Sequence, residues 1–269
     1  MEDTIEGDSY DTPDGIKRYA SEYLMLGSRW SPYSKFFEVM FQSRRLALRG
    51  LYDDEAWARS SIEILRRLER CGAKLHISGL DNVRALSRPA VFISNHMSTF
   101  ETLLLPGIIN PIRPCTYVVK EKLLNGLIWG PIMRSRDPIS VTRTDARKDL
   151  EAVMQGGAER LAKGRSIIIF PQGTRTDAFS RAGFNSLGVK LASRAGVPVV
   201  AVAVKTDYWG NSPLFRGFGP VRRDRPVMIQ FAPAMAVSGR GKAEHEAVLD
   251  FIEGRLREWG GQMAETAVD

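Results

Sequence analysis

The chain of 269 residues has a mass of 30.0 kDa, with 43% hydrophobic and 26% charged residues. This length and composition are those of one large or two small globular domains, which excludes a stapled miniprotein, a fibrous protein and a disordered chain. Two distant cysteines and three scattered histidines argue against a disulfide scaffold and against a metal centre. We therefore expect a folded globular protein without a metal centre, and the composition points to no other cofactor.

The first sixteen residues differ sharply in charge from the rest of the chain. They hold six acids and no base, which predicts an acidic, disordered leader over residues 1–16 and argues against a signal peptide. The remaining residues carry 38 bases and 25 acids, a formal charge of +13, which favours phosphates or anionic lipids as partners. The longest apolar run, residues 197–204, is far shorter than the roughly 20 residues of a membrane-spanning helix. We expect a cytoplasmic protein with no transmembrane helix.

Residues 17–50 combine bases with aromatic residues. The bases are Lys17, Arg18, Arg29, Lys35, Arg44, Arg45 and Arg49, and the aromatic residues are Tyr19, Tyr23, Trp30, Tyr33, Phe36, Phe37 and Phe41. This mixture is typical of a helical hairpin that docks on an anionic membrane surface, but it also fits a hairpin that packs its aromatic residues on the main domain. A further helix over residues 53–70 completes an N-terminal helical segment, residues 17–72.

From residue 73 the pattern changes to short apolar strands with helices between them. The strands are predicted at residues 74–78, 90–95, 115–120, 138–143, 166–170, 197–204 and 227–231. The helices are predicted at residues 98–105, 146–162, 186–195 and 242–259. This alternation predicts an α/β domain over residues 73–269, built on a mixed, mostly parallel sheet flanked by helices, with its functional residues at strand ends.

A histidine and a glutamate follow the predicted strand at residues 90–95. Glu101 lies five positions after His96, so its carboxylate can fold back onto one imidazole nitrogen and leave the other nitrogen to take a proton from a substrate. The same residues also fit a helix capping box, in which Ser98 is the N-cap and Glu101 reaches back to it. The cluster alone leaves both interpretations open.

Three more clusters lie further along the chain. The sequence Phe-Pro-Gln-Gly-Thr-Arg at residues 170–175 places a glycine, a hydroxyl and a guanidinium in one turn, which suits an oxyanion or phosphate, although a surface turn would look the same. Residues 139–143 are a strand that ends in Arg143, and residues 195–202 form a turn into a buried strand. Taken separately, these two patterns are weak.

In their order and spacing the four clusters resemble the motifs of the glycerolipid acyltransferase family, which includes the 1-acylglycerol-3-phosphate (lysophosphatidic acid) acyltransferases. The resemblance covers roughly residues 73–235 and implies a glycerol-3-phosphate acyltransferase-like fold. It implies that His96 is the general base and that Glu101 is its partner. It further implies a set of substrate-binding residues, which comprises Lys120, Arg143, Gln172, Gly173, Thr174 and Arg175.

The chain departs from the family pattern at three positions. Glu101 stands where an aspartate is usual, which moves the carboxylate and keeps its charge. Gln172 replaces a usual glutamate and removes a negative charge beside the expected phosphate site, so that the identity of the acceptor is left open. Ala201 replaces a usual proline in the fourth motif, where we expect an effect on strand shape alone.

The resemblance implies transfer of a fatty acyl group from acyl-CoA or acyl carrier protein to the hydroxyl of lysophosphatidic acid, at the cytoplasmic face of a membrane. No G-x-S-x-G elbow is present, so we expect direct transfer without an acyl-enzyme. The apolar residues 123–133 and the hairpin are expected to admit long chains. Two alternatives remain: transfer to another lysolipid, and a non-catalytic basic membrane-binding protein. No nucleic-acid motif accompanies the basic charge.

Overall fold

The computed structural model describes residues 5–212 and 217–264. The strands of this part of the chain are β1 (Ser9–Asp11), β2 (Leu75–Ser78), β3 (Val91–Ser94), β4 (Cys115–Lys120), β5 (Ile139–Val141), β6 (Ser166–Ile169), β7 (Ala178–Phe179), β8 (Val199–Lys205), β9 (Val227–Phe231) and β10 (Gln262–Met263). The helices are α1 (Ala20–Leu24), α2 (Trp30–Leu48), α3 (Asp54–Glu69), α4 (Leu80–Arg84), α5 (Phe100–Ile109), α6 (Glu121–Leu124), α7 (Trp129–Arg134), α8 (Ala146–Ala162), α9 (Leu187–Ala195) and α10 (Lys242–Glu258).

Eight of the described strands form one mixed sheet in the order β1-β2-β9-β8-β3-β6-β4-β5. Only the β1–β2 and β8–β9 pairs are antiparallel, so most of the sheet is parallel. The central strands β3, β6 and β8 are buried along their whole length, as parallel strands between two layers of helices must be. The predicted fold, a mostly parallel sheet flanked by helices, is confirmed.

The core lies on both faces of this sheet, because successive side chains of a strand point to opposite faces. Phe92 packs with the layer that contains α2, α3 and α5, whereas Val91 and Ile93 pack with the layer of α8, α9 and α10. The strand ends between these layers are therefore held in place from both sides. The loops that leave β3, β4, β5 and β6 emerge at one edge, since these strands are parallel neighbours.

The disorder predicted for residues 1–16 is wrong for the described part of that segment, which begins at residue 5. Residues 9–11 form β1 and extend the sheet beyond β2. The hydroxyls of Tyr10 and Thr12 donate to the buried carboxylate of Glu69 on α3, at 2.5 and 2.7 Å. Polar side chains attach this segment to the domain. A sequence pattern that relies on apolar residues does not predict such an attachment.

The basic and aromatic segment, residues 17–50, contains α1 and α2. Tyr33 and Phe36 of α2 are buried in the core, whereas Trp30 is 63% exposed and Phe41 is 55% exposed. The aromatic residues are thus divided between the two alternatives drawn from the sequence, and a membrane-docking hairpin stays a prediction. Across residues 5–212 and 217–264, every helix is too short or too polar to cross a bilayer.

The start of this segment is attached to the main domain by Arg223, in the loop between β8 and β9. Its guanidinium forms an ion pair with the buried Glu22 of α1 at 2.8 Å. It also donates to the carbonyls of Gly27 and Ser28, at 2.6 and 3.1 Å, in the turn between α1 and α2. The N-terminal helices are therefore held to the sheet by charge as well as by apolar packing.

Candidate active site

His96 lies in the turn between β3 and α5, at the edge of the sheet where the parallel strands end. Its Nδ1 lies 2.8 Å from Oε1 of Glu101, which is fully buried. A carboxylate only accepts hydrogen bonds, so Nδ1 carries a proton, and in the neutral imidazole Nε2 then has the free lone pair. The five-residue spacing therefore places an oriented imidazole at the sheet edge, as expected from the sequence.

Glu101 also makes capping hydrogen bonds to the turn before α5, although the N-cap of this helix is Thr99 and not the expected Ser98. Its carboxylate accepts hydrogen bonds from the backbone N–H groups of Met97 and Ser98, at 2.8 and 2.9 Å, and from the Ser98 hydroxyl at 2.9 Å. The Ser98 hydroxyl in turn accepts from the N–H of Phe100 at 2.9 Å. The capping box and the His–Glu pair exist together, because one buried carboxylate does both tasks.

The charge of Glu101 is stabilised despite its burial. Burial alone would raise the pKa of this carboxyl, but the hydrogen bond and charge interaction with His96, together with the Thr206 hydroxyl, lower it below its usual value. Thr206, directly after β8, donates to Oε2 at 2.6 Å. Glu101 is thus an ionised partner that can stabilise a protonated imidazole.

The turn after β6 supports His96 from the opposite side. The ring of Phe170 stacks on the imidazole with a centroid distance of 4.3 Å. The side-chain oxygen of Gln172 accepts a hydrogen bond from the backbone N–H of His96 at 2.7 Å, and the backbone N–H of Thr176 donates to the His96 carbonyl at 3.0 Å. Gln172, expected from the resemblance to bind substrate, instead contacts protein groups through both ends of its amide.

Two arginines lie near the turn after β6. Arg143 has a left-handed backbone, with φ of +63°, and Asp149 accepts hydrogen bonds from the backbone N–H groups of Thr142 and Arg143 at 2.7 and 2.6 Å. The guanidinium of Arg143 donates to the carbonyl of Gly173. The Arg175 guanidinium donates to the Thr99 hydroxyl at the start of α5. Arg143 therefore contacts this turn from the loop after β5, whereas Arg175 reaches from the turn to the start of α5.

The glycine at position 217 gives Arg175 its space. Gly217 has a φ of +97°, and a Cβ atom at this position would lie 2.5 Å from the Arg175 guanidinium and 2.6 Å from the Thr99 hydroxyl. Its carbonyl accepts hydrogen bonds from Trp209 at 2.6 Å and from Thr99 at 3.3 Å. The loop after β8 thus approaches the site with its backbone, which the sequence motifs did not indicate.

A cavity of about 1160 Å³ opens beside His96. Its polar part is lined by His96, Lys120, Arg143, Gly173, Thr174 and Arg175, which are predicted site residues. Its apolar part is lined by side chains of α2, α3, α5, α6 and α7, among them Met40, Trp57, Leu103, Leu123, Ile132 and Met133. The cavity therefore joins a histidine and four cations, Lys190 being the fourth, to an apolar wall, and residues 123–133 contribute to that wall.

Several residues of the site were not identified from the sequence. Thr206 and Thr99 are hydroxyl residues next to an element end, a position too common to signal a role. Phe170 belongs to the cluster at residues 170–175, but the motif gives it no role, whereas the structure stacks it on His96. Trp57 of α3 was assigned to a helix outside the α/β domain, yet it lines the apolar part.

Known proteins share both the sequence pattern and the fold. A family model described as Acyltransferase matches residues 74–205. The chain is 29% identical over 223 residues to a 1-acyl-sn-glycerol-3-phosphate acyltransferase of Pseudomonas aeruginosa, which covers 81% of this chain and 80% of that protein. It is 28% identical over 169 residues to a lyso-ornithine lipid O-acyltransferase of the same organism, which covers 58% of this chain and 63% of that protein.

Three further curated relatives, from Chlamydomonas reinhardtii, Arabidopsis thaliana and Brassica napus, are matched over 36 to 38% of their own length. Among solved structures, the 1-acyl-sn-glycerophosphate acyltransferase of Thermotoga maritima superposes with a TM-score of 0.62 at 17% identity, over 91% of this chain and 99% of that one. At this identity the superposition supports the fold alone.

Proposed function

We propose that this chain is an O-acyltransferase that converts lysophosphatidic acid to phosphatidic acid; its residues 74–205 match the family model described as Acyltransferase. The observation that carries the proposal is the position of His96. Its imidazole is oriented by a buried carboxylate and opens onto a cavity with cations on one part and an apolar wall on another. Such a cavity suits an acceptor with a phosphate, a hydroxyl and a fatty chain.

The proposed reaction uses the two nitrogens of His96 differently. Nδ1 donates to Glu101, and Nε2 takes the proton of the acceptor hydroxyl as its oxygen attacks the thioester carbonyl. The new C–O bond forms, the tetrahedral intermediate expels the thiolate, and the imidazolium returns the proton to that sulfur. Glu101 stabilises the imidazolium between these steps. General base catalysis of this kind contributes about 10²- to 10⁴-fold to the rate.

The phosphate of the acceptor is assigned to the cations of the polar part. Arg143 and Arg175 lie on either side of the turn formed by Gly173 and Thr174, and Lys120 ends the neighbouring strand β4. Charge-assisted hydrogen bonds from guanidinium groups to phosphate oxygens are about twice as strong as neutral ones. These residues would hold the headgroup while its fatty chain lies against the apolar part.

A bilayer surface is the proposed place of the reaction, on the cytoplasmic face. The residues Tyr23, Leu24, Met25, Leu26 and Trp30, here called the interfacial patch, are between 43% and 94% exposed. Five large apolar side chains so close together in the sequence and exposed to solvent are typical of a surface that meets lipid. The exposed Arg29, stacked over Trp30 at 5.3 Å, adds a charge suited to anionic headgroups.

Another lysolipid is the second candidate acceptor. The similarity to the lyso-ornithine lipid O-acyltransferase of Pseudomonas aeruginosa favours it. The non-catalytic alternative has less support, because a purely structural cap would not need an imidazole facing a large cavity. The acyl donor is a thioester of either coenzyme A or acyl carrier protein, since both present the same reacting carbonyl.

The test is an assay of the purified protein with oleoyl-CoA and vesicles that contain one lysolipid each. Lysophosphatidic acid should be acylated at least tenfold faster than lysophosphatidylcholine or a lyso-ornithine lipid, because only its phosphate monoester matches the cations of the polar part. His96→Ala serves as the inactive control. Preference for a lyso-ornithine lipid would support the second candidate, and activity with none of the acceptors would overturn the proposal.

A further inference from the structure

Gln172 lies between residues that face the cavity, yet its side chain is directed at the protein. Its Oε1 accepts from the N–H of His96 at 2.7 Å, and its Nε2 donates to the Thr176 hydroxyl at 3.0 Å. The N–H of Thr176 returns to the carbonyl of His96 at 3.0 Å. These bonds close a ring around the main chain of His96, formed by one glutamine amide and one threonine.

We propose that Gln172 is a positioning residue for acyl transfer, which fixes the main chain of His96 and does not select the acceptor. The inference rests on the proposed role of His96 as general base. It assigns the turn after β6 two separate tasks. Gly173, Thr174 and Arg175 line the cavity, whereas Phe170, Gln172 and Thr176 hold His96.

The main chain of His96 needs this support because contacts to the imidazole alone do not fix the position of its backbone. Glu101 fixes Nδ1 and Phe170 fixes the plane of the imidazole, but the place of Nε2 also depends on the position of the His96 backbone. The hydrogen bonds from Gln172 and Thr176 hold that backbone on both sides of its Cα atom. A displacement of a catalytic group by about 1 Å can cost about 100-fold in rate.

The chemistry of an amide explains why glutamine suits this position. It accepts from the His96 N–H and donates to the Thr176 hydroxyl, which is then free to donate to the carbonyl of Ala178 at 2.8 Å. A carboxylate could accept from His96 but could not donate to Thr176. A methionine of similar length cannot donate at all, and its sulfur is only a weak acceptor. The series Gln, Glu and Met therefore separates the two bonds.

The experiment compares the full-length variants Gln172→Glu and Gln172→Met with wild type, using oleoyl-CoA and lysophosphatidic acid in vesicles. Gln172→Met should lower kcat about 10- to 100-fold, with the KM for the acceptor within twofold of wild type. Gln172→Glu should keep kcat within about threefold of wild type and should not change the preferred acceptor. Gln155→Met, an exposed glutamine on α8, is the matched control and should leave both constants unchanged.

A second measurement does not depend on activity. Hydrogen–deuterium exchange of the peptide that contains His96 should become faster in Gln172→Met and stay near wild type in Gln172→Glu, because only the former loses the acceptor of the His96 N–H. Unchanged exchange and unchanged kcat in Gln172→Met would overturn the inference. So would a rise in KM alone, or a switch of acceptor in Gln172→Glu. A wild-type protein without acyltransferase activity would instead overturn the proposed function, whatever the exchange data show.

Discussion

The two parts of the cavity are built in different ways. In the polar part, His96 and the two arginines sit on loops after parallel strands, and each forms a hydrogen bond with a residue of another loop or of a helix start. In the apolar part, the wall comes from helices, and α2 presents buried residues to the core and the exposed Trp30 and Phe41 to solvent. The ionisable side chains of the polar part are thus positioned by the strands of the sheet. The apolar side chains of the wall belong to helices, of which α2 also exposes apolar side chains to solvent.

The largest effect is expected from His96, at the centre of the polar part. His96→Ala should lower kcat by about 10²- to 10⁴-fold, because the proton of the acceptor hydroxyl loses its base. The variant should still fold, with a lowered melting temperature, because Glu101 loses its imidazole partner but keeps its hydrogen bonds from Met97, Ser98 and Thr206. Steady-state kinetics and thermal unfolding measure the two quantities. Full activity in this variant would contradict the assigned mechanism.

A smaller effect, confined to acceptor binding, is expected from the arginines. Arg143→Ala and Arg175→Ala should each raise the KM for lysophosphatidic acid about 10- to 100-fold, the equivalent of one hydrogen bond to a charged group, and should change the KM for oleoyl-CoA little. The matched control is Arg147→Ala, which removes an exposed base on α8 that does not line the cavity. Equal increases for both substrates would mean that these arginines do not distinguish the phosphate.

The outward side of the N-terminal helices should affect binding to vesicles and not chemistry. The variant Leu24→Ser/Leu26→Ser/Trp30→Ser should detach from anionic vesicles at high salt, because its remaining attraction is electrostatic and screened. The variant Arg45→Glu/Arg49→Glu should lose its preference for anionic lipid, at about 1 kcal/mol for each base near the surface. Co-sedimentation with vesicles at low and high salt distinguishes the two contributions. Wild-type binding by both variants would show that another surface meets the bilayer.

The smallest expected effect is a pH dependence of stability at the polar part. The pKa of Glu101 is lower in the folded protein than its ordinary value, so its contribution is complete above about pH 5, beyond the usual glutamate range, and is lost as pH falls through the lowered value. Urea unfolding at pH 7 and pH 4 should show a greater loss for wild type than for Glu101→Gln, which cannot be protonated there. An equal loss would indicate that other carboxylates dominate acid unfolding.

The sheet followed from the sequence to a large extent, because its strands are buried on both faces and read as short apolar runs. The bounds of β4, β9 and α8 agree with the sequence pattern residue by residue. The edge strand β1 did not follow, since three residues with polar attachments leave no periodic signal. Short helices such as α6 and α7 were likewise missed, although their apolar residues were noted.

The candidate site followed from motif order, and the structure adds which side chain faces which partner. Lys120, Arg143 and the turn at residues 173–175 lie together around one cavity, as the motif order implied. The position of Gln172 could not be inferred, because the choice between the cavity and the His96 backbone depends on the turn that β6 makes beside β3. Neighbouring residues in a tight turn point in different directions, and the direction of each side chain is known only from the folded structure.

The contacts of Arg223 affect how the molecule is oriented on a lipid surface. By bonding to Glu22, Gly27 and Ser28, it ties α1 and the turn before α2 to the same sheet that carries His96. A molecule that rests on lipid through the interfacial patch could then spin about the membrane normal, but it could not tilt freely. The distance between the His96 imidazole and the lipid plane would then be set by the fold and would be the same in every bound molecule. Arg223→Ala should therefore broaden the distribution of distances between a fluorescent label near the site and a labelled bilayer.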